Sequence, residues 1–320
     1  MTIRALLGLF VIFVATSNAF ANDSKKLIIS SGNITGVYYP TAGAICREVN
    51  LSKDKDMSCL VRATNGSFQA LSELQGNKSN LAIAQSDIIN DAYNATRLLT
   101  KDKPQRNLRG VFSLYEDIFT IIVRADSKIN SFDDTKNKSV SYGIAGSGTF
   151  AMLNAMMNIK NWQMSDFAEV VALSPFEQST ALCDGKIDVV MFAVAHPNGA
   201  IQEVTNSCDV RFISLNPQEI KALTKGNKNY VSARIDAGIY NAKNDVHSIS
   251  AKAALVTRAN MSNEVVYDLT KTVFASLPVL RTLHPVLARL DSARMPFISG
   301  NIPLHPGAKK YYVEAGLLKE

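Results

Sequence analysis

Short apolar runs alternate along the chain with longer segments whose apolar positions repeat at helical spacing. Leu27-Ile28-Ile29-Ser30 reads as a buried strand. A Gly-containing turn follows, and Pro40 then sits at the first turn of a helix reaching Val49. Cys59 to Ala63 predicts a strand, Phe68 to Gln75 a helix, Leu81 to Ala84 a second apolar strand, and Asp87 to Tyr93 another helix. Val111 to Leu114 and Phe119 to Val123 read as two separate strands. After Arg124 the rhythm restarts. Strands fall at Ser139 to Ile144, Val170 to Leu173, Asp188 to Ala193 and Val210 to Ser214, with one helix ending at Met157 and others opened by Pro175 and Pro197. A polar stretch from Lys225 to Asn229 interrupts the pattern. A strand at Ala251 to Thr257 and helices at Asn263 to Ser276 and Pro306 to Ala315 complete it. Such βαβ repetition predicts parallel sheets with helices on both faces, and two α/β units, each with its own sheet, are the economical reading.

Composition narrows the class without naming a function. With 47% hydrophobic and 19% charged residues, the chain is neither disordered, collagen-like nor a multi-span membrane protein. Its 320 residues suffice for two domains. The net charge of +6 is spread out, without the Lys/Arg clusters of a nucleic-acid footprint, so no nucleic-acid partner is expected.

The N-terminus points to export. Arg4 precedes an apolar run from Ala5 to Ala15 and an Ala19-Phe20-Ala21 site, the pattern of a cleavable signal peptide over residues 1–21. That run is well short of the roughly 20 residues of a spanning helix. No Cys follows it, which argues against a lipid anchor. In an oxidising compartment the even count of four cysteines suggests disulfides, for which three pairings exist. Cys46–Cys59 and Cys183–Cys208 join sequence neighbours, and each such bridge would stabilise by about 3 kcal/mol on a chain-entropy basis. A metal site or a nucleophile is the alternative use, but no C-x-x-C occurs and no His stands at zinc-finger spacing. No metal or cofactor is expected.

Three strand-to-helix junctions carry candidate chemistry. Gly32-Asn33-Ile34-Thr35-Gly36-Val37-Tyr38-Tyr39-Pro40 is a polar, Gly-flanked turn feeding a helix, where free amides favour an anion. Ala145-Gly146-Ser147-Gly148-Thr149 is a second, with two glycines allowing close backbone approach and two hydroxyls able to donate. It also spells a G-x-G-x-x-A, yet it lies mid-chain in an exported protein, and the positions flanking Ser147 are not those of a nucleophile elbow. The third is Gln85-Ser86-Asp87, where Ser86 or Asp87 is a natural helix cap and Gln85 would point into any cleft. His196, His284 and His305 each precede a proline, and His247 stands alone. His196 follows a strand and either lines a cleft or plays a structural role. Trp162 and Met152, Met156 and Met157 read as core.

These pieces together resemble a known family. Gly32 to Pro40, Gln85-Ser86-Asp87 with Ala92-Tyr93-Asn94, Ser131-Phe132-Asp133-Asp134, Gly146-Ser147-Gly148-Thr149, Ala181-Leu182-Cys183-Asp184, His196-Pro197 and Leu304-His305-Pro306-Gly307 are similar to the TAXI branch of TRAP-transporter solute-binding proteins, over essentially the whole mature chain. The resemblance implies a periplasmic, monomeric receptor of the type II periplasmic-binding-protein fold: two α/β lobes with a ligand cleft and hinge between them. Residues 22–123 plus 248–320 would form one lobe and 124–247 the other, with crossovers near Arg124 and Val246 to Ala251. It implies a small organic anion or a glutamate- or glutamine-like amino acid as ligand, delivered to integral-membrane TRAP subunits driven by an ion gradient. Thr35, Tyr38, Tyr39, Gln85 and Ser86 would contact it from one lobe and Ser147, Gly148, Thr149 and His196 from the other. Asn33 and Ile34 replace the more Gly-rich run of many relatives, which implies a narrower or more polar pocket, and no arginine stands out as a carboxylate clamp. A ligand-sensing partner of a membrane signalling receptor would use the same fold. An exported hydrolase would need a nucleophile or acid/base motif that is not recognisable here.

Overall fold

A computed structural model of the chain describes residues 25–52, 56–96, 104–299 and 302–319. The leader expected over residues 1–21 lies outside them. The chain begins with β1 (Lys25–Ser30), α1 (Tyr38–Leu51), β2 (Met57–Arg62), α2 (Ser67–Gln75), β3 (Leu81–Gln85) and α3 (Ser86–Asn94), then enters a long strand, β4 (Leu108–Arg124). A second set follows: β5 (Ser139–Ser141), α4 (Gly148–Lys160), β6 (Glu169–Val171), α5 (Pro175–Cys183), β7 (Val189–Val194), α6 (Gly199–Ser207), β8 (Val210–Ile213), α7 (Pro217–Thr224) and β9 (Val231–Ile235). Another long strand, β10 (Val246–Arg258), returns the chain to α8 (Asn263–Ala275), α9 (Leu277–Leu283) and α10 (Pro306–Glu314).

The strand order is β2-β1-β3-β10-β4-β7-β5-β6, with β8 also on β4 and β9 also on β10. Each side is a parallel triplet, and the two triplets are joined through an antiparallel centre formed by β10 and β4. The expected pair of separate sheets is therefore corrected to one hydrogen-bonded sheet. The reason is local. Val111 to Leu114 and Phe119 to Val123 are not two strands but parts of β4, which pairs with β10 over 108–118 and with β7 and β8 over 118–124.

Most of these strands are apolar on both faces because both faces are covered. Successive residues diverge to opposite sides, as the strand period requires. Leu255 joins Leu27, Ile29, Ile45 and Phe112 in one apolar cluster, while Val256 joins Leu71, Leu74 and Ile88 in another. Across the molecule Ile121 and Val189 pack with Met152 and Met156, while Ile122 and Val190 pack with Leu182 and Ile201. Each end of the single continuous sheet is thus covered on both faces.

Helix starts follow local chemistry. Ser174 Oγ accepts from Glu177 N and the Glu177 carboxylate accepts from Ser174 N, a reciprocal cap that opens α5 behind Pro175. Asn216 and Glu219 repeat the device at α7, an element absent from the hydropathy reading, as were β9 and α9. Asn198 Oδ1 accepts from Ala200 N and Ile201 N, so Pro197 precedes α6 rather than opening it. The disulfides are Cys46–Cys59, tying α1 to β2, and Cys183–Cys208, tying the end of α5 to the residue after α6. No helix among the described residues is long and apolar enough to cross a membrane.

Candidate functional site

A cavity of about 120 Å³ opens where the two lobes meet, large enough for about four waters at liquid density. It sits at the carboxyl ends of parallel strands, where open α/β sheets bind ligands. Gly36, Val37 and Tyr38 bring the start of α1 to it, and Gly66 and Ser67 the start of α2. Ser147, Gly148 and Thr149 open α4, and Pro175 opens α5. Four helix N-termini therefore face one small space, each presenting unsatisfied amides and the positive end of its dipole. Val37, Ile144 and Phe192 supply apolar wall.

The lobes approach closely here. A Cβ built on Gly66 would lie 3.4 Å from Ser147 Cα, and one on Gly146 would lie 3.5 Å from Phe68 Cβ. Gly66 holds φ at +121°, a conformation that side-chain-bearing residues rarely adopt. Backbone meets backbone along this seam.

Of the expected contacts, Tyr38, Gln85, Ser147, Gly148 and Thr149 line the cavity. Ser147 Oγ accepts from Phe150 N at 3.3 Å and caps α4, while Thr149 Oγ1 accepts from Ala193 N at 2.9 Å and pins that helix to β7. Both hydroxyl hydrogens are still able to donate. Gln85 is buried at the end of β3, and its Oε1 has no hydrogen-bond partner among the described residues. Thr35, Tyr39, Ser86 and His196 are not brought to the cavity. Thr35 is exposed, and both its N–H and its hydroxyl donate to Asn33 Oδ1. Ser86 is fully buried in the first turn of α3.

His196 lies elsewhere. It lines a larger cavity of about 420 Å³ and is hydrogen-bonded to Thr120 Oγ1 and the Tyr240 hydroxyl. Burial, with the Arg289 charge adding, pulls its pKa down to about 3, so it is neutral. Strand β4 separates the two cavities: Asp117 lines the smaller, and its neighbours Glu116 and Ile118 the larger. Arginines in the larger cavity are met by carboxylates at its edge, Arg234 by Asp236 at 2.7 Å and Arg294 by Asp291 at 3.5 Å.

Asp117 was hidden in the sequence, where Glu116-Asp117 read as a break between strands. It is 1% exposed and accepts a hydrogen bond from the Tyr38 hydroxyl. Burial pushes its pKa up to about 8, with the Asp87 charge adding, while bonds from Tyr38 and Ala195 N oppose the shift. Burial likewise raises the Tyr38 phenol well above its ordinary value, so Tyr38 is the donor of the pair. Among the described lining residues there is no Lys, Arg, His or Cys. The site combines a carboxyl with converging helix N-termini and has no cationic side chain.

The chain matches the family described as NMT1-like over residues 29–316, nearly its whole length. It belongs to the NMT1-like family. This NMT1-like chain is also similar to a putative L-cystine ABC transporter protein from Listeria monocytogenes, at 10% identity and a TM-score of 0.51 over 82% of this chain and 94% of that one. It is similar as well to the ligand-binding component of an ABC-type import system from Staphylococcus aureus, solved with zinc bound, at 12% identity and a TM-score of 0.50 over 92% and 93% of the two chains. Likeness at this identity concerns the fold, which is the two-lobe α/β binding-protein fold.

Proposed function

We propose that this NMT1-like protein is an exported, periplasmic and monomeric solute receptor, whose inter-lobe cavity binds a small anion that also carries an amino group. The observation behind this reading is the convergence of four helix N-termini and one buried carboxyl on a single space. An acidic group of the ligand meets the amides at the helix starts. Its ammonium group meets Asp117, whose proton leaves as the ammonium arrives. A glutamate- or glutamine-like amino acid has both groups. Ser147 and Thr149 add hydroxyl donors, and Tyr38 closes one side. The hinge is the stretch where β4 changes partners, around Glu116 to Ile118, together with the paired Ser250 to Lys252 of β10. This divides the chain slightly earlier than the expected boundary at residue 124.

Delivery to integral-membrane subunits completes the role. The motif order similar to the TAXI branch favours TRAP subunits and an ion gradient, and the two structural neighbours named for ABC import set the alternative. Uptake reconstituted with candidate membrane subunits separates them: TRAP delivery requires transport that persists without ATP and collapses with the gradient. For the ligand, thermal-shift measurements with L-glutamate, L-glutamine and glutarate are the direct test. An amino acid at a hundred times its Kd adds about 2.7 kcal/mol of stability. Equal stabilisation by glutarate would remove the amino group from the reading.

A further inference from the structure

The Gln85 amide has two faces, and what lies behind it decides which one the ligand meets. Gln85 Nε2 donates to Asp87 Oδ1 at 2.8 Å. The same oxygen accepts from Ile88 N at 2.9 Å, while the other carboxylate oxygen accepts from the Tyr230 hydroxyl at 2.6 Å. Asp87 is 0% exposed and Tyr230 1% exposed. Both carboxyl oxygens of Asp87 are thus engaged as acceptors, so a reversed Gln85 amide would set oxygen against oxygen at buried distance. The amide orientation is therefore dictated by Asp87, with a longer contact of 3.5 Å from Nε2 to Gly148 O, which leaves Oε1 as the atom not engaged by either. That oxygen is buried without a partner among the described residues and packs against the start of α4, where a Cβ on residue 148 would stand 2.1 Å from it.

Tyr230 is packed in the second lobe with Phe119, Met152 and Leu223, whereas Asp87 opens α3 in the first. The hydroxyl that steadies Asp87 thus comes from across the cleft. Tyr230 lies just before β9, outside every segment that resembled a ligand-binding motif.

Building on the proposed ligand site, we infer that Asp87 and Tyr230 are specificity-determining positioning residues: they hold the Gln85 amide with its unpartnered oxygen against the start of α4, where Gln85 and Gly148 both line the cavity, so the site demands a hydrogen-bond donor from the ligand there. Neither touches the ligand. Both act through Gln85, and Tyr230 does so only while the lobes are together.

One measurement needs no identified ligand. In the purified protein with ¹⁵N-labelled glutamine side chains, Gln85→Glu identifies the Gln85 amide signals by their disappearance. In the parent protein these protons exchange with solvent at least tenfold more slowly, to an order of magnitude of about 10, than those of exposed Gln69. Tyr230→Phe and Asp87→Asn each remove most of that protection. A second measurement compares L-glutamate with 2-hydroxyglutarate and glutarate by titration calorimetry. Tyr230→Phe reduces the preference for the amine by about tenfold while glutarate affinity changes little, since a freed amide can turn its nitrogen outward. Unchanged exchange in both variants overturns the positioning role, as does an equal loss of affinity for all three probes. If exchange responds as expected but no probe binds the parent protein, the ligand reading fails and the positioning role is retained.

Discussion

The two walls of the cleft present their helix starts in opposite ways. On the first-lobe wall, α1 and α2 begin after Val37 and Gly66, and no side chain caps either. On the second-lobe wall, Ser147 and Ser174 cap α4 and α5. A capped helix has satisfied part of its own demand for acceptors, whereas an uncapped one leaves that demand to water or to a ligand. The first wall is thus built to receive an acceptor, and the second to hold its own shape. Bracing, by contrast, is shared. Each wall has one disulfide on a helix that starts at the cavity, Cys46 on α1 and Cys183 on α5.

The sharpest way to break this contrast is to add one carbon to each wall. Gly148→Ala forces a Cβ to 2.1 Å from Gln85 Oε1, and ligand affinity measured by calorimetry falls by about 100-fold, the equivalent of overpacking by a few kcal/mol. Gly36→Ala meets only Asn33 O, at 3.3 Å, and binding stays near that of the parent. Parity between the two variants would mean that the rigid wall is not the second.

Stability is the next test, and here the walls should behave alike. Replacing Cys46 and Cys59 together with alanine lowers the free energy of unfolding by about 3 kcal/mol in urea titrations, and replacing Cys183 and Cys208 does the same within about 1 kcal/mol. A much larger loss for one pair would show that bracing is not shared.

The carboxyl between the walls has its own signature. The fold raises the Asp117 pKa from its ordinary value to about 8. A group raised in this way supports the ligand-free fold fully at low pH, and that support is lost as pH climbs from about 4 towards 8. Binding of an ammonium requires the ionised form, so affinity rises with pH, by up to about tenfold per unit below pH 8, and levels off above it. Asp117→Asn flattens that slope. Calorimetry in buffers of different ionisation enthalpy reads the released proton directly.

The smallest effect separates capping from binding. Ser147→Ala costs about 1 kcal/mol of stability through the lost cap, seen as a lower Tm, and weakens ligand binding only modestly.

Alternation of strands and helices was legible from hydropathy, because buried parallel strands are continuous apolar runs and most helices carry a Pro, Gly or capping signal at their start. The two hydroxyls and two glycines of Gly146, Ser147, Gly148 and Thr149 were legible for the same reason. Asp117 was not. Its charge, beside Glu116, looked like the end of a strand, when it is a site residue standing inside one. A local rule was broken at the candidate site, and the same misreading split β4 and divided the sheet. His196 misled in the other direction, since following a strand says nothing about which side of it a ring occupies. Tyr230 gave no signal at all, because its partner Asp87 is far away in the chain.

The continuous sheet has a mechanical consequence. A joint made of two adjacent, hydrogen-bonded strands resembles a leaf spring more than a door hinge. Turning it bends a ribbon along its length, so the strain is shared among many dihedrals and pulls back towards a preferred aperture. If the proposed hinge is the joint, the lobes would not wander but open along one arc and return, and a ligand would need only to offset the elastic work of that arc to keep them shut.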